Sequence, residues 1–271
     1  MGTGSNLAIE LAEEKFLLAK EKWIRSRLGE DADENTHGWS ELADEYTELA
    51  NQEDLYLESL FEEEERRKED IRKIVDELEV PALVHFTQLS NLESILKDGL
   101  LPRNEIKETV DINDELRLDG RENTVSTSIA FPNSKMFYKY RTQKGGLWCV
   151  IGISKRVLWE LDCLFCKYNA ADIRISTQAD NSLETVEAFL GMFDESPLLD
   201  SRDAQKLRKY DPTDLQAEVL IKGGIPPKYI VGVVFSDKPS KSKFETLTSK
   251  RKVLLHSHNK GYFASRNYVR R

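Results

Sequence analysis

The chain has 271 residues, 39 Lys+Arg against 48 Asp+Glu, a net charge of -9 and 39% hydrophobic residues, which suits one sizeable domain with an appendage. It holds no apolar run of about 18 residues and its first residues lack a leader pattern, so neither a membrane-spanning nor a secreted design is expected and a cytoplasmic protein is. Three cysteines, an odd number, argue against a disulfide scaffold.

The charge is unevenly spread. Residues 1–80 carry 10 Lys+Arg and 24 Asp+Glu, a net -14, whereas residues 81–271 carry 29 and 24, a net +5. In the acidic part, Leu7, Ile9, Leu11, Phe16, Leu17, Leu18, Trp23 and Ile24 fall near a helical period that ends at Gly29. The polar stretch from Glu30 to His37 reads as a loop. A second helical pattern begins near Trp39, and a third runs from about Leu55 to Leu78. The expectation is a helical hairpin or three-helix element over residues 1–80, serving as a docking arm for another protein, an acidic cover over a basic face, or a stabilising extension.

From Pro81 the pattern is mixed. Strands are predicted at 82–87, 124–130, 147–153, 216–222 and 229–236, with a last one near 253–256, and helices at 90–98, 134–141, 183–191 and 202–209. Irregular helices among strands point to an α+β fold. Ser90 and Glu93 have the spacing of a capping box before the helix, and Gly99 is placed to close it. This strand, loop and helix carry His85, Thr87 and Asn91 toward one end of a sheet. Cys163 and Cys166 form a CxxC, but the apolar residues around them favour a strand with buried thiols over a metal site. No glycine-rich nucleotide loop is present.

Glu218 is the most informative residue. In Gln216-Ala217-Glu218-Val219-Leu220 it alternates with apolar neighbours at a strand period, which is expected to set a carboxylate on a cleft wall. A buried carboxylate costs several kcal/mol unless it is paired or does chemistry. The bland alternative is a salt-bridged strand residue.

Taken together, the segment from Val84 to Leu100, Arg117-Leu118-Asp119-Gly120, the run Thr127-Ser128-Ile129-Ala130-Phe131-Pro132-Asn133 continuing to Tyr138, and the Glu218 strand occur in the order found in the DarT family. The chain resembles these DNA ADP-ribosyltransferases over roughly residues 81–271. The resemblance implies an ADP-ribosyltransferase fold of two packed, twisted sheets with helical insertions, and a toxin or phage-defence enzyme. Such an enzyme splits NAD and attaches ADP-ribose to a base of single-stranded DNA. It implies Glu218 as the catalytic glutamate and His85, Thr87 and Asn91 as part of the NAD site, with Ser126 adding a hydrogen bond. It also implies an essential arginine, for which Arg117 is taken ahead of Arg121, the latter being kept as a cofactor-binding residue. An antitoxin or chaperone partner and no metal are expected.

The residue types suit the chemistry. Cleavage between nicotinamide and ribose builds positive charge on the sugar, which a fixed carboxylate stabilises, and a guanidinium fork matches a diphosphate. Lys135, Lys139, Arg141 and Lys144, and a second cluster of Arg202, Lys206, Arg208 and Lys209, are candidates for following a phosphate backbone. RNA as acceptor, a protein acceptor, and a non-catalytic binding module remain the alternatives.

Overall fold

The structure is a computed structural model that describes residues 3–106, 120–257 and 259–271, with side chains in the first helix from residue 14. The chain divides into two compact units, Met1–Arg66 and Arg67–Arg271.

In the first unit, α1 (Thr3–Leu28) ends at Gly29, whose φ of 112° is a left-handed conformation that glycine adopts without strain. In the connection, the Asp33 N–H donates to Thr36 Oγ1 at 2.9 Å and the Asn35 N–H to Asp33 Oδ1 at 3.0 Å. The second helix then begins. The Tyr46 ring sits 5.6 Å from Phe16 and 5.4 Å from Trp23, and Ile24 is fully buried. The two later helical patterns of the sequence are one helix, α2 (Trp39–Glu77). Nothing between them breaks it, because residues 39 to 77 contain neither Gly nor Pro.

The second unit holds β1 (Leu83–Gln88), α3 (Leu92–Asp98), β2 (Thr124–Ile129), α4 (Ser134–Lys144), β3 (Trp148–Ile153), α5 (Val157–Glu160) and β4 (Cys163–Cys166). Then come α6 (Ile173–Ser176), α7 (Asp180–Leu183), α8 (Val186–Gly191), β5 (Glu218–Lys222), β6 (Ile230–Phe235), α9 (Lys238–Lys243), α10 (Glu245–Thr248), β7 (Lys252–Leu255) and α11 (Arg266–Val269). The class is α+β. The strands follow the order β4-β5-β2-β1-β3-β6-β7, antiparallel except for the parallel pair β6 and β7.

The order has a weak joint. β1 pairs with β3 along its whole length, from Leu83↔Ile153 to Gln88↔Trp148, whereas it pairs with β2 only at Leu83↔Ile129 and Val84↔Ser128. The seven strands thus form one sheet rather than the expected two packed sheets, and the groups β4-β5-β2 and β1-β3-β6-β7 meet at this short pairing.

Both faces of the central strands are covered, so β3 reads as a continuous apolar run. Trp148 and Val150 pack with Phe137, Val234 and Phe263, while Cys149, Ile151 and Ile153 join the larger cluster. That cluster includes Ile71 and Val75, from the last turns of α2.

Two local expectations fail. Ser90 and Glu93 form no capping box: residues Leu89–Asn91 make a 3-10 turn, and α3 starts after Asn91, whose side chain does not cap it. Gly99 does close α3, at φ 93°, in a place where a Cβ would run into the Ile225 carbonyl. The helix expected at 202–209 is a series of turns with Lys206 at φ 54°. The Arg202 guanidinium bonds the Asp211 carbonyl and Thr213 Oγ1, each at 2.8 Å, and the Arg208 carbonyl at 3.0 Å, so the chain wraps around it. Cys163 and Cys166 lie buried in different clusters. The Cys163 thiol donates to the Val157 carbonyl, and burial pushes its pKa up, so it stays a protonated core group.

Ile71 is fully buried whereas Leu55, on the same helix, is 65% exposed. Ile71→Ala is expected to lower the unfolding free energy by about 2–4 kcal/mol through lost burial and the cavity left behind. Leu55→Ala is expected to change it by no more than about 0.5 kcal/mol, both read by urea denaturation of the full chain.

Candidate active site

The parting of β1 from β2 opens a cavity of about 350 Å³, lined by both strands, by α3 with the residues after it, and by Glu218. That volume is in the range of small-molecule sites. His85, Thr87, Asn91, Ser126 and Glu218 all line it. Residues 126 and 85, 41 positions apart, meet because the strand ends diverge and one side chain bridges the gap.

The bridge is His85. Its Nδ1 lies 2.8 Å from the Ser126 carbonyl oxygen, which only accepts, so Nδ1 carries the hydrogen. In the neutral ring Nε2 is then an acceptor. Burial lowers the His85 pKa, opposed by the bond to Ser126, and the ring is neutral at pH 7. Beside it, Asn91 Nδ2 donates to the buried Thr87 Oγ1 at 3.1 Å, which fixes both side chains on the cavity wall.

Glu218 opens β5 and is 7% exposed. The Ala170 N–H donates to its Oε2 at 2.8 Å, and Ala170 follows β4, whose Cys166 is its register partner. On the neighbouring strand, Thr127 Oγ1 donates to the Val219 carbonyl at 2.8 Å. A backbone amide and two strands thus hold the carboxylate at the cavity wall.

The opposite wall depends on a close approach. Leu100 and Ile225 exchange backbone hydrogen bonds at 2.9 and 2.8 Å. Gly224, at φ 88°, permits this contact, since a Cβ there would lie 2.7 Å from the Leu100 carbonyl. The wall continues through Leu101, Arg103, Glu105 and Ile106.

The arginines separate. Arg121 is buried but is not part of the cavity lining; its Nε donates to Asp180 Oδ1 and its Nη2 to the Gln178 carbonyl, both at 2.8 Å. Lys222 pairs with Asp180 at 3.2 Å and with Glu184, so Arg121 belongs to an ion cluster between β2, α7 and β5. This commitment sets it apart from the other expected cofactor-binding residues. Arg117 lies outside the described residues.

Of three further contributors, Arg103 carries no sequence signal, Asn133 stands in the motif run without an assigned role, and Tyr140 is one of three aromatic candidates for stacking, with Phe137 and Tyr138. Arg103 is the Lys or Arg side chain that lines the cavity among the described residues, and its position after a Leu-Leu-Pro run carries no motif. Asn133 is 1% exposed; its Oδ1 accepts the Met136 N–H at 3.1 Å as the cap of α4, which orients the amide. Its buried Nδ2 has no hydrogen-bond partner among the described residues. An orphaned donor at the wall of a cavity suits a ligand with acceptor oxygens. Tyr140 packs 6.3 Å from Phe86 and lines the cavity, whereas Phe137 is core and Tyr138 is 62% exposed.

The basic clusters are also partly structural. Arg141 donates to the Phe263 carbonyl at 2.9 Å and stacks over Phe137, and Arg202 holds its own loop, while Lys135, Lys139 and Lys144 are exposed on α4. Among the described residues no helix is long and apolar enough to cross a membrane, and no group of His, Cys, Asp and Glu is arranged to hold a metal ion.

The family model described as ssDNA thymidine ADP-ribosyltransferase, DarT, matches residues 84–264. No curated protein matches the chain. Among solved structures, Thermosipho africanus DarTG in complex with ADP-ribose is similar at 18% identity and a TM-score of 0.46, over 67% of this chain and 50% of that chain. Thermus sp. 2.9 DarT in complex with ADP-ribosylated ssDNA is similar at 15% identity and a TM-score of 0.49, over 66% and 95% of the two chains. The same protein in complex with NAD+ gives 16% and 0.42, over 66% and 96%. The chain spans half the length of the Thermosipho protein. With the family model covering well over half of the sequence, the cavity and its glutamate on β5 lie inside the matched region, and the chain belongs to the DarT family of ssDNA thymidine ADP-ribosyltransferases.

Proposed function

We propose that this ADP-ribosyltransferase binds NAD in the cavity between β1 and β2 and transfers ADP-ribose to a thymine base of single-stranded DNA, with Glu218 as the catalytic carboxylate. The observation that carries this reading is a buried carboxylate and a half-buried neutral imidazole on the walls of one cavity. In the transfer, the bond between ribose C1′ and the nicotinamide nitrogen breaks, its electron pair leaving with neutral nicotinamide. A base nitrogen bonds C1′ and gives up its proton.

Each residue has a defined task. Glu218, held by the Ala170 N–H, stabilises the positive charge on the ribose and takes the proton from the base nitrogen. His85 offers Nε2 as an acceptor to a ribose hydroxyl, because Nδ1 is engaged by Ser126. Thr87, Asn91 and Ser126 shape the same wall, and Asn133 supplies a donor. For the essential arginine we propose Arg117, since Arg121 is committed to Asp180 and Gln178. Exposed Tyr138 between Lys135 and Lys139 suits a single strand, with a ring for stacking and cations for phosphates. We further propose that the enzyme works in the cytoplasm as a toxin or defence effector held in check by a protein antitoxin.

The deciding experiment is transfer of labelled ADP-ribose from NAD to single-stranded oligonucleotides with and without thymine, and to RNA. Glu218→Gln keeps an acceptor for the Ala170 N–H and loses the charge, so it is expected to fold normally and to transfer at least about a hundredfold more slowly. Wild-type rates in that variant would remove Glu218 from the mechanism, and labelling of RNA alone would change the acceptor. Arg117→Ala is expected to abolish transfer; Arg121→Ala is expected to lower thermal stability more than the rate per folded molecule, and the reverse pattern would exchange their roles.

His85 gives a pH signature. An ordinary histidine gains its proton near 6.5, whereas burial holds the His85 pKa below that value. NAD affinity is therefore expected to stay level as pH falls from 7.5 through 6.5 and to drop only at lower pH, as measured by calorimetry. A drop centred at 6.5 would show that the ring is not buried as described.

A further inference from the structure

The acidic helical unit carries an exposed apolar face on α2. On α2, Leu42, Tyr46, Leu49, Glu53, Tyr56 and Leu60 follow one another in alternating steps of four and three residues, the repeat of a coiled-coil seam. At Tyr46 the seam is covered, by Phe16 and Trp23 of α1. Beyond it Leu49, Tyr56 and Leu60 are 43 to 61% exposed, and Leu55, Leu57 and Phe61 beside them 55 to 67%. Exposed aliphatic and aromatic side chains at this density mark an interaction site rather than ordinary surface.

Charge identifies the occupant. From Glu41 to Glu65 the helix holds 11 Asp and Glu and not one Lys or Arg. The exposed Glu53, Asp54, Glu58 and Glu62 border or interrupt the apolar stretch. A second copy of the chain would bring the same acids against one another, which disfavours self-association.

We propose that this face of α2 docks an amphipathic helix of a partner protein, with aliphatic residues in a four-and-three repeat and Lys or Arg along its borders. Glu53, an acid at a seam position, asks for a basic side chain opposite it and so fixes the register, as single polar seam residues do in coiled coils. The inference is independent of the transferase reading, because it uses none of the cavity residues.

The test uses the full chain and two labelled helical peptides of about four heptads with the same aliphatic seam, one bordered by Lys and the other by Glu, followed by fluorescence anisotropy. The Lys peptide is expected to bind at least about tenfold more tightly than the Glu peptide, and more weakly as salt rises. The variant Leu49→Ala, Tyr56→Ala, Leu60→Ala keeps every acid and is expected to retain its helix content by circular dichroism while losing at least about tenfold in affinity for the Lys peptide. Binding unchanged in that variant would reduce the effect to bulk charge attraction and overturn the proposal. So would equal binding of both peptides, binding of neither, or a dimer of the chain alone that these substitutions dissociate.

Discussion

The hydrogen bond from His85 Nδ1 to the Ser126 carbonyl is the contact on which the site depends. β1 and β2 share only two residue pairs before they part, and beyond that point a side chain replaces the backbone ladder. The replacement has three effects at once. It leaves space between two strands that full pairing would close, it satisfies a carbonyl facing the gap, and it fixes which imidazole nitrogen is free to accept. Any residue without a ring donor at position 85 leaves the Ser126 carbonyl without this partner.

The carboxylate on the other side is held by a different device. Glu218 sits at the first position of β5, buried, with a backbone N–H from the loop after β4 on one oxygen. A backbone donor on one oxygen stabilises the charged form of the carboxylate. Rigid strands and a capped helix, α4, thus fix the chemical groups, while the wall around Arg103 comes from a less regular segment.

Basic residues of the second unit are used in large part for architecture. Arg202 and Arg266 bind backbone carbonyls, Arg270 forms a fork on the buried Asp211 at 2.7 and 2.8 Å, and Arg121 joins the cluster with Asp180, Lys222 and Glu184. Arg266 is buried enough that its pKa falls to about 10. A net charge of +5 counted over residues 81–271 therefore overstates what is free to meet phosphate, and the exposed lysines of α4 are the better measure. In the acidic unit, the exposed Glu53, Asp54, Glu58 and Glu62 flank an apolar seam.

The sequence by itself determined what depends on neighbours along the chain. Strand periods placed β1, β2, β3, β5, β6 and β7 to within a few residues, Gly99 and Gly29 marked helix ends, and Glu218 stood out because a carboxylate among apolar strand residues needs a reason. The motif order carried the family. What it left open was decided by contacts distant in sequence. Arg121 carries no sequence mark of its partner, and only the fold shows its pairing with Asp180, 59 residues on. The same holds for the 202–209 segment, where a helical pattern lost to a guanidinium that binds carbonyls up to nine residues ahead. Arg103 entered the site only through the folding around the Leu100–Ile225 contact, which no local pattern encodes. The split between β1 and β2 is of this kind too, because strand register and its interruption are fixed by partners across the sheet, and the cavity exists only where that pairing stops.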